Sequence, residues 1–249
     1  MKDHRYIAEL IKNSEVPLSL TRIGDGEARL LNWRKDKPAA NFSLNKHMGR
    51  VPSDAEILEI RDNLIYAYNK SSIIGIPTRK HFKRNDKYWS SAENLMYELA
   101  PESKNVMKCS IDIHTEWILN DTYRELLQDK ENVYIITCRD VAEGLKRRYN
   151  IKNVYQFLIS EQWQYDVNRK ENHHYPDQFQ EIKAWIGGLS LNLDICLCGA
   201  GFVGKIYNVW FQQRGGISID IGHVFDKWAG MATRGVGGKV GITSDKYKL

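Results

Sequence analysis

The sequence predicts an α/β fold in which helices cover both faces of a mainly parallel sheet. Short β-branched runs of strand length alternate along the chain with segments of helical periodicity. Two of these runs end in glycine-rich turns that open helices, as strands do at ligand-binding junctions. The composition is that of a globular protein, with 27% charged and 42% hydrophobic residues. With 249 residues, the chain is predicted to form a single domain over 1–249.

The predicted strands are apolar, β-branched runs with few charges. Right-handed crossovers between parallel strands place their carboxyl ends along one edge of the sheet, where ligands bind. Six runs qualify, and Lys108–Ile113 is a weaker candidate. The six are Leu18–Arg22, Ile73–Ile76, Val133–Thr137, Val154–Leu158, Leu193–Cys198 and Ile217–Ile221.

The predicted helices follow from apolar residues spaced three or four apart. Ile57, Ile60, Leu64 and Tyr68 fall on one face of a helix that Asp54 is expected to cap. Further helices are predicted over Trp117–Leu127, Val141–Tyr149, Phe179–Leu189 and Val203–Arg214.

The net charge leaves several classes of binding partner open, whereas the distribution of apolar residues bears on localisation. The net charge of +5 suits nucleic acid, an anionic membrane surface or phosphate-bearing small substrates. Basic residues are scattered, apart from Arg79–Arg84 and Lys146–Arg148, whose pattern is more typical of solvated faces. No apolar run approaches the roughly 20 residues that span a bilayer. The charged start, residues 1–13, does not resemble a signal peptide, so we expect a cytoplasmic protein.

The cysteines are predicted to be reduced and buried. Cys109, Cys138, Cys196 and Cys198 form no C-x-x-C pair, and no histidine cluster of zinc-finger spacing accompanies them. Three of the four lie in predicted strands, where a thiol packs as a small hydrophobic group. The expected compartment is therefore a reducing one.

The first candidate site is the turn after the strand Leu18–Arg22. Gly24, Asp25, Gly26 and Glu27 lead into a predicted helix. Two carboxylates one residue apart can share a hard cation, and the two glycines let a ligand approach the backbone. The preceding Arg22 could pair with a phosphate or hold a carboxylate in place. The alternative is a capped helix start, with Glu27 stabilised by the helix N-terminus.

The second candidate site is a G-x-G-x-x-G turn over Gly199–Gly204, between a predicted strand and a predicted helix. Backbone N–H groups of Gly199, Ala200 and Gly201 would face a phosphate at the helix N-terminus. Asp220 follows Gly199 by about twenty residues, as the ribose-binding acid does in dinucleotide folds. The alternative is a tight strand–helix turn that binds no ligand.

A third strand–helix junction, Thr137–Asp140, is also compatible with phosphate. Arg139 is its basic residue, and Asp140 is the expected N-cap of the following helix. We predict that Arg139 contributes to the binding of a phosphate.

Three residues are candidates for the catalytic group. His223 follows Asp220 at the same sheet edge, where it could contact a pyrophosphate, ligate a metal or move a proton. Asp112 would share one side with His114 in an extended segment. Glu161 follows a predicted strand and is a candidate base.

Two motifs together resemble the GT-D type glycosyltransferases, bacterial enzymes often found in glycan or glycoprotein assembly. They are Arg22–Glu27, and Ile219–His223 after the Gly199–Gly201 turn. The resemblance extends from about Leu18 to about Trp228. It implies a Rossmann-like parallel sheet, a nucleotide-sugar donor such as a UDP-sugar, and a divalent metal, manganese or alternatively magnesium. The family's D-x-E motif matches Asp25 to Glu27, which implies metal and donor binding by those two acids.

These features predict transfer of a sugar to a hydroxyl of a glycan, glycolipid or glycoprotein acceptor, with peripheral membrane contact left open. A metal on Asp25 and Glu27 would bridge the diphosphate oxygens as a Lewis acid. Arg22, Arg139 and the Gly199–Gly204 turn would add positive field as the leaving group departs. An inverting reaction would need one of the three catalytic candidates to take the hydroxyl proton.

Two other functions are weighed against this one. An NAD(P)-dependent oxidoreductase would use Gly199–Gly204 and Asp220, but it would leave Asp25 and Glu27 without a role. A nucleic-acid-binding module would need a clustered basic face, which the scattered charges do not predict. The tail, Gly230–Leu249, is rich in Gly, Lys and Thr, and is expected to be a mobile lid or a frayed end.

Overall fold

The structure, a computed structural model, describes residues 1–79, 81, 92–162, 173–231 and 247–249, with the side chain of Asp25 excepted. Seven strands in these ranges form one parallel sheet, which confirms the predicted α/β class. The strands are β1 (Leu18–Arg22), β2 (Ile73–Ile76), β3 (Met107–Ser110), β4 (Asn132–Thr137), β5 (Asn153–Leu158), β6 (Ile195–Gly199) and β7 (Ile217–Asp220). Their order across the sheet is β3-β2-β1-β7-β6-β4-β5.

Helices cover both faces of the sheet, as predicted. They are α1 (His4–Lys12), α2 (Asp25–Leu31), α3 (Lys37–Met48), α4 (Asp54–Lys70), α5 (residues 92–99), α6 (Ile113–Leu119), α7 (Thr122–Leu127), α8 (Ala142–Tyr149), α9 (Phe179–Gly187), α10 (Gly204–Gln213) and α11 (Val224–Trp228). A 3₁₀ helix over Pro101–Asn105 and an irregular turn over His174–Gln178 complete the described elements.

The sheet separates two hydrophobic cores because side chains alternate along each strand. On β4, Val133 and Ile135 enter one core, whereas Tyr134 and Ile136 enter the other. The first core packs against α1, α6, α7, α8 and α11, and the second against α2, α3, α4, α9 and α10. Burial on both faces explains why the central strands are nearly continuous apolar runs.

The helix predicted over Trp117–Leu127 is wrong as a single element. It divides into α6 and α7 at Asp121, whose φ of 54° is left-handed. Asp accepts this conformation more readily than most residues, so Asn120 and Asp121 were the available turn signal.

Two predicted N-caps are also wrong. Ser53 caps α4: its Oγ accepts a hydrogen bond from the Glu56 amide, and Glu56 Oε2 accepts one from the Ser53 amide. Asp54 is instead the first helical residue. At α8 the N-cap is Val141, so Asp140 lies one residue too early to cap it.

The predicted tail falls mostly outside the described residues, since 232–246 are not included. The last residue, Leu249, is described, and its amide donates to the Trp228 carbonyl at 3.0 Å. All four cysteines are free, and Cys138 is the only partly exposed one, which confirms the predicted burial of the other three. Within the described ranges, no helix has the length and apolar character required to cross a membrane.

Candidate active site

A cavity of about 580 Å³ opens at the carboxyl ends of β1, β7, β6 and β4. This is the sheet edge at which parallel α/β proteins bind ligands, and the volume suits a small molecule. The cavity gathers every predicted site residue except Asp25, whose side chain is not described. These lining residues are Arg22, Gly24, Gly26, Glu27, Asp112, Arg139, Glu161, Gly199, Ala200, Gly201, Asp220 and His223.

Four charged side chains form the floor of the cavity: Glu27, Lys205 and Asp220 are buried, and Arg22 is 12% exposed. Asp220, the last residue of β7, receives Arg22 Nη2 at 2.9 Å on Oδ1 and has Lys205 Nζ at 3.0 Å from Oδ2. Lys205 Nζ also lies 2.5 Å from Glu27 Oε1. The chain of ion pairs therefore runs from β1 through β7 and α10 to α2.

The charges of this cluster are mutually stabilised. Burial alone would raise the pKa of Asp220, but Arg22 and Lys205 outweigh burial and hold that pKa below its usual value. Burial would likewise lower the pKa of Lys205, but Asp220 and Glu27 raise it above the usual value. Asp220 and Lys205 are therefore both charged at neutral pH.

The second oxygen of Glu27 is used locally. Glu27 Oε2 accepts a hydrogen bond from the Gly24 amide at 3.0 Å, which caps the start of α2. The capped helix start, weighed above as the alternative for this turn, is thus present. The sequence alone did not indicate that Lys205 takes the other oxygen.

A metal site at Glu27 does not fit this arrangement, because its carboxylate is already held by Lys205 and the Gly24 amide. Among the described side chains, no three His, Cys, Asp or Glu are placed to hold a metal ion together. A metal on Asp25 and Glu27 stays a prediction. The contacts of Glu27 argue against metal binding by that residue.

Two positions of the glycine-rich turn require glycine, one because of packing and one because of its backbone conformation. A Cβ at Gly199 would lie 2.5 Å from Phe225 Cδ2 and 2.9 Å from the Gly222 carbonyl. Gly201 has a φ of +61°, which favours glycine. The turn leads directly into α10, whose amide groups suit an anion.

Arg139 is not a free cation facing the cavity. Its Nε donates to Asp226 Oδ1 at 2.7 Å, and its Nη2 donates to Glu161 Oε1 at 2.5 Å. Burial lowers the pKa of Arg139, but the bonds to Glu161 and Asp226 outweigh burial and raise it. The predicted donor-binding arginine and the predicted base Glu161 are therefore partners of each other, which neither motif had indicated.

The histidines meet beside this cluster. His223 Nδ1 lies 3.2 Å from His114 Nε2, and His114 Nδ1 lies 2.8 Å from Arg22 Nη1. The expectation that Asp112 and His114 share one side of an extended segment is wrong, because His114 is in the first turn of α6. Asp112 instead contacts His81 Nε2 at 3.3 Å.

Although Phe202 lies in the predicted Gly199–Gly204 turn, sequence reasoning did not bring together the residues at one end of the cavity. There, the His47 and Phe202 rings meet edge to face at 5.2 Å. His174 lies nearby, and burial and then His47 lower its pKa to about 4. A hydrogen bond of 3.0 Å joins the Tyr207 hydroxyl to His174 Nε2. These rings come from separate elements, so no local motif predicts their meeting.

Lys205 and Asp226 were also missed, although Lys205 had a usable signal. It follows Gly204 at the N-terminus of α10, where the helix dipole disfavours a cation. A lysine in that position predicts a nearby acid. Asp226, in α11, had no comparable signal.

The chain matches the family described as the GT-D fold-like domain over residues 4–228. This match covers most of the chain, and the protein belongs to that family. The resemblance found from the Arg22–Glu27 and Ile219–His223 motifs is thereby confirmed. No curated protein matches the chain significantly.

Solved structures share the fold at low sequence identity. A glycosyltransferase of domain of unknown function 1792 from Streptococcus sanguinis aligns with a TM-score of 0.55 and 15% identity, over 97% of this chain and 88% of that one. A structure described as domain of unknown function 1792 with a distinct glycosyltransferase fold gives 0.55 and 13%, over 99% and 87%. A selenomethionine structure of that domain gives 0.56 and 13%, over 99% and 87%. The architecture is therefore the GT-D glycosyltransferase fold.

Proposed function

We propose that this protein transfers a glycosyl group from a nucleotide-sugar donor to an acceptor hydroxyl. The observation that carries the proposal is one cavity of about 580 Å³ that is lined by both the Gly199–Gly201 turn and the candidate proton acceptors. A solved structure with the same fold is described as a glycosyltransferase, which supports the same class of reaction. A UDP-sugar is the proposed donor, and a glycan, glycolipid or glycoprotein in the cytoplasm is the proposed acceptor.

The diphosphate of the donor is placed at the start of α10. Gly199, Ala200 and Gly201 line the cavity beside this helix start, where the helix dipole and the first N–H groups of a helix favour an anion. The nucleobase is placed at the end where His47 and Phe202 meet, since flat aromatic rings offer it a stacking surface.

Charge balance makes the donor site unusual. Four Arg or Lys and five Asp or Glu side chains are among the described residues that line the cavity. Their formal charges do not attract a diphosphate, so directed amide groups have to supply the recognition. This deficit supports a divalent cation, manganese or magnesium, that enters with the donor. Asp25 is then its proposed protein ligand, and we assign no step of the reaction to it.

On the acceptor side, His223 is the proposed base. An imidazole suits proton transfer near neutral pH. Glu161 and Asp112 are the alternative candidates; Glu161 Oε1 is bound by Arg139, and Asp112 contacts His81. In an inverting reaction, His223 would take the proton of the acceptor hydroxyl as the sugar carbon bonds to that oxygen. The bond from the same carbon to the diphosphate breaks, and the nucleoside diphosphate leaves.

The oxidoreductase alternative gains no support from the site. It needs Asp220 to bind a ribose hydroxyl, but both oxygens of Asp220 lie within 3.0 Å of a cationic nitrogen, one from Arg22 and one from Lys205. No feature of the cavity favours a nicotinamide over a sugar.

A screen of nucleotide sugars for hydrolysis, with and without manganese, tests the proposal. We expect release of the nucleoside diphosphate from at least one donor by the wild type and by the surface variant Lys152→Ala. Thermal stabilisation by that diphosphate should accompany turnover. The proposal is contradicted if no donor is turned over and NAD(H) alone stabilises the protein.

A further inference from the structure

Lys205 lies at the centre of a set of oxygen atoms. Its Nζ lies 2.5 Å from Glu27 Oε1, 3.0 Å from Asp220 Oδ2 and 3.0 Å from the Gly201 carbonyl. The side chains of Lys205, Glu27 and Asp220 are each only 6% exposed. The ammonium group thus has three oxygen neighbours: it donates a hydrogen bond to the Gly201 carbonyl and forms ion pairs with the two carboxylates.

These three oxygens have the chemistry of a hard-cation site. Two carboxylates and a backbone carbonyl are ligands that magnesium, manganese and calcium prefer. Here the cation among them is an ammonium group that is covalently part of the chain.

We infer that Lys205 is the resident cation of this site, so that the glutamate of the D-x-E motif binds a lysine instead of a metal ion. The inference concerns the donor site of the proposed function but does not require that sugar transfer occur. It also assigns Glu27 a defined task, which is to join α2 to α10 through Lys205.

The electrostatics of the cluster support this assignment. A divalent ion at Glu27 would lie within a few ångströms of the Lys205 ammonium and near the Arg22 guanidinium, and both would repel it. Arg22 and Lys205 already balance the charges of Glu27 and Asp220.

The position of Lys205 in the helix supports the same conclusion. As the second residue of α10, it places a cation at the positive end of the helix dipole, which is unfavourable. Burial of the ammonium is also unfavourable unless it is paired. The two carboxylates offset both effects, and α10 therefore depends on them.

Manganese titration of the full chain without nucleotide, followed by electron paramagnetic resonance, tests the inference. If Lys205 fills the site, Glu27→Gln leaves the manganese affinity of the wild type unchanged. Lys205→Ala opens the site and gains one bound manganese, at least about tenfold tighter than wild type at that position. Adding Glu27→Gln to Lys205→Ala removes the gain. Lys152→Ala, which removes an exposed lysine paired with Glu131, is the matched control and gains none.

The inference is overturned if Glu27→Gln weakens manganese binding to the wild type about tenfold or more. It is equally overturned if Lys205→Ala is folded by circular dichroism but gains no site. If Lys205→Ala does not fold, the comparison of wild type with Glu27→Gln decides. None of these measurements uses a sugar donor, so a failure of the proposed transferase activity would leave their result unaffected.

Discussion

Arg22 Nη2 lies 2.9 Å from Asp220 Oδ1, and this ion pair joins the last residues of two neighbouring strands, β1 and β7. Asp220 also faces Lys205, so one buried carboxylate holds two cations. The stability of the sheet edge and the shape of the cavity floor therefore both depend on Asp220.

Removal of that carboxylate should be strongly destabilising. Asp220→Asn leaves the buried charges of Arg22 and Lys205 without their shared anion, and we expect the free energy of unfolding to fall by about 3 kcal/mol or more. Urea denaturation measures this change in the free energy of unfolding. The control is Glu131→Gln, at a pair with Lys152 in which both side chains are more than 60% exposed, and it should leave the urea midpoint unchanged. Equal behaviour of the two variants would contradict the role of Asp220.

His174 should make stability depend on pH. Burial, and then His47, lower its folded pKa from 6.5 to about 4. Between these pH values His174 is protonated in the unfolded chain but neutral in the folded one. The free energy of unfolding is therefore not reduced by His174 above pH 6.5, and it decreases as the pH falls from 6.5 towards 4. We expect a loss of about 1.4 kcal/mol per pH unit in this window.

His174→Gln should lack this component, while its amide can still meet the Tyr207 hydroxyl. The measurement is the free energy of unfolding of wild type minus variant, at several pH values between 4 and 7. Parallel pH curves for the two proteins would show that His174 titrates normally.

Two glycines make a matched pair for the packing of the candidate donor turn. Gly199→Ala places a Cβ 2.5 Å from Phe225 Cδ2, and we expect a loss of about 1–3 kcal/mol. Gly187→Ala, at the end of α9, has no atom within 4 Å of the new Cβ and should be nearly neutral. Denaturation midpoints compare the two. A neutral Gly199→Ala would mean that the turn is not closely packed on α11.

The proposed base can be separated from donor binding. His223→Gln should lower turnover about 10²-fold or more, whereas its affinity for the nucleoside diphosphate stays near that of wild type. The fall in wild-type turnover on the acidic side, where a general base is protonated, should also be lost in the variant. Lys152→Ala is the control for expression and folding. A variant with wild-type turnover would direct attention to Glu161 and Asp112.

Six strands were predictable because each is a mainly apolar run of strand length with polar or glycine residues beside it. The seventh, β3, contains Lys108 and Ser110 and was only a weaker candidate. The observed bounds of β1 and β2 equal the predicted ones, and the others differ by one to three residues. Helix α3 was missed because the exposed Phe42 and the buried Ser43 obscure the apolar stripe of Ala40, Leu44 and Met48. Its caps were visible in the sequence, since Asp36 bonds the Ala39 amide and Gly49 has a φ of 73°.

The location of the site at the carboxyl edge of the sheet was predictable, but the ion pairs among its charged residues were not. Parallel strands bring their carboxyl ends together, so Arg22, Asp220 and Arg139 could be assigned to one edge from strand ends alone. Which charges pair depends on helices that pack over that edge. Lys205 from α10 and Asp226 from α11 are the partners that altered the expected roles of Glu27 and Arg139.

The most direct test of the central claim is a crystal structure of the protein soaked with UDP and manganese. We expect a diphosphate within hydrogen-bonding distance of the amides in the Gly199–Gly201 turn. The uracil ring should lie towards His47 and Phe202. A nucleotide bound outside this cavity, or a cavity that accepts NAD(H) but not UDP, would contradict it.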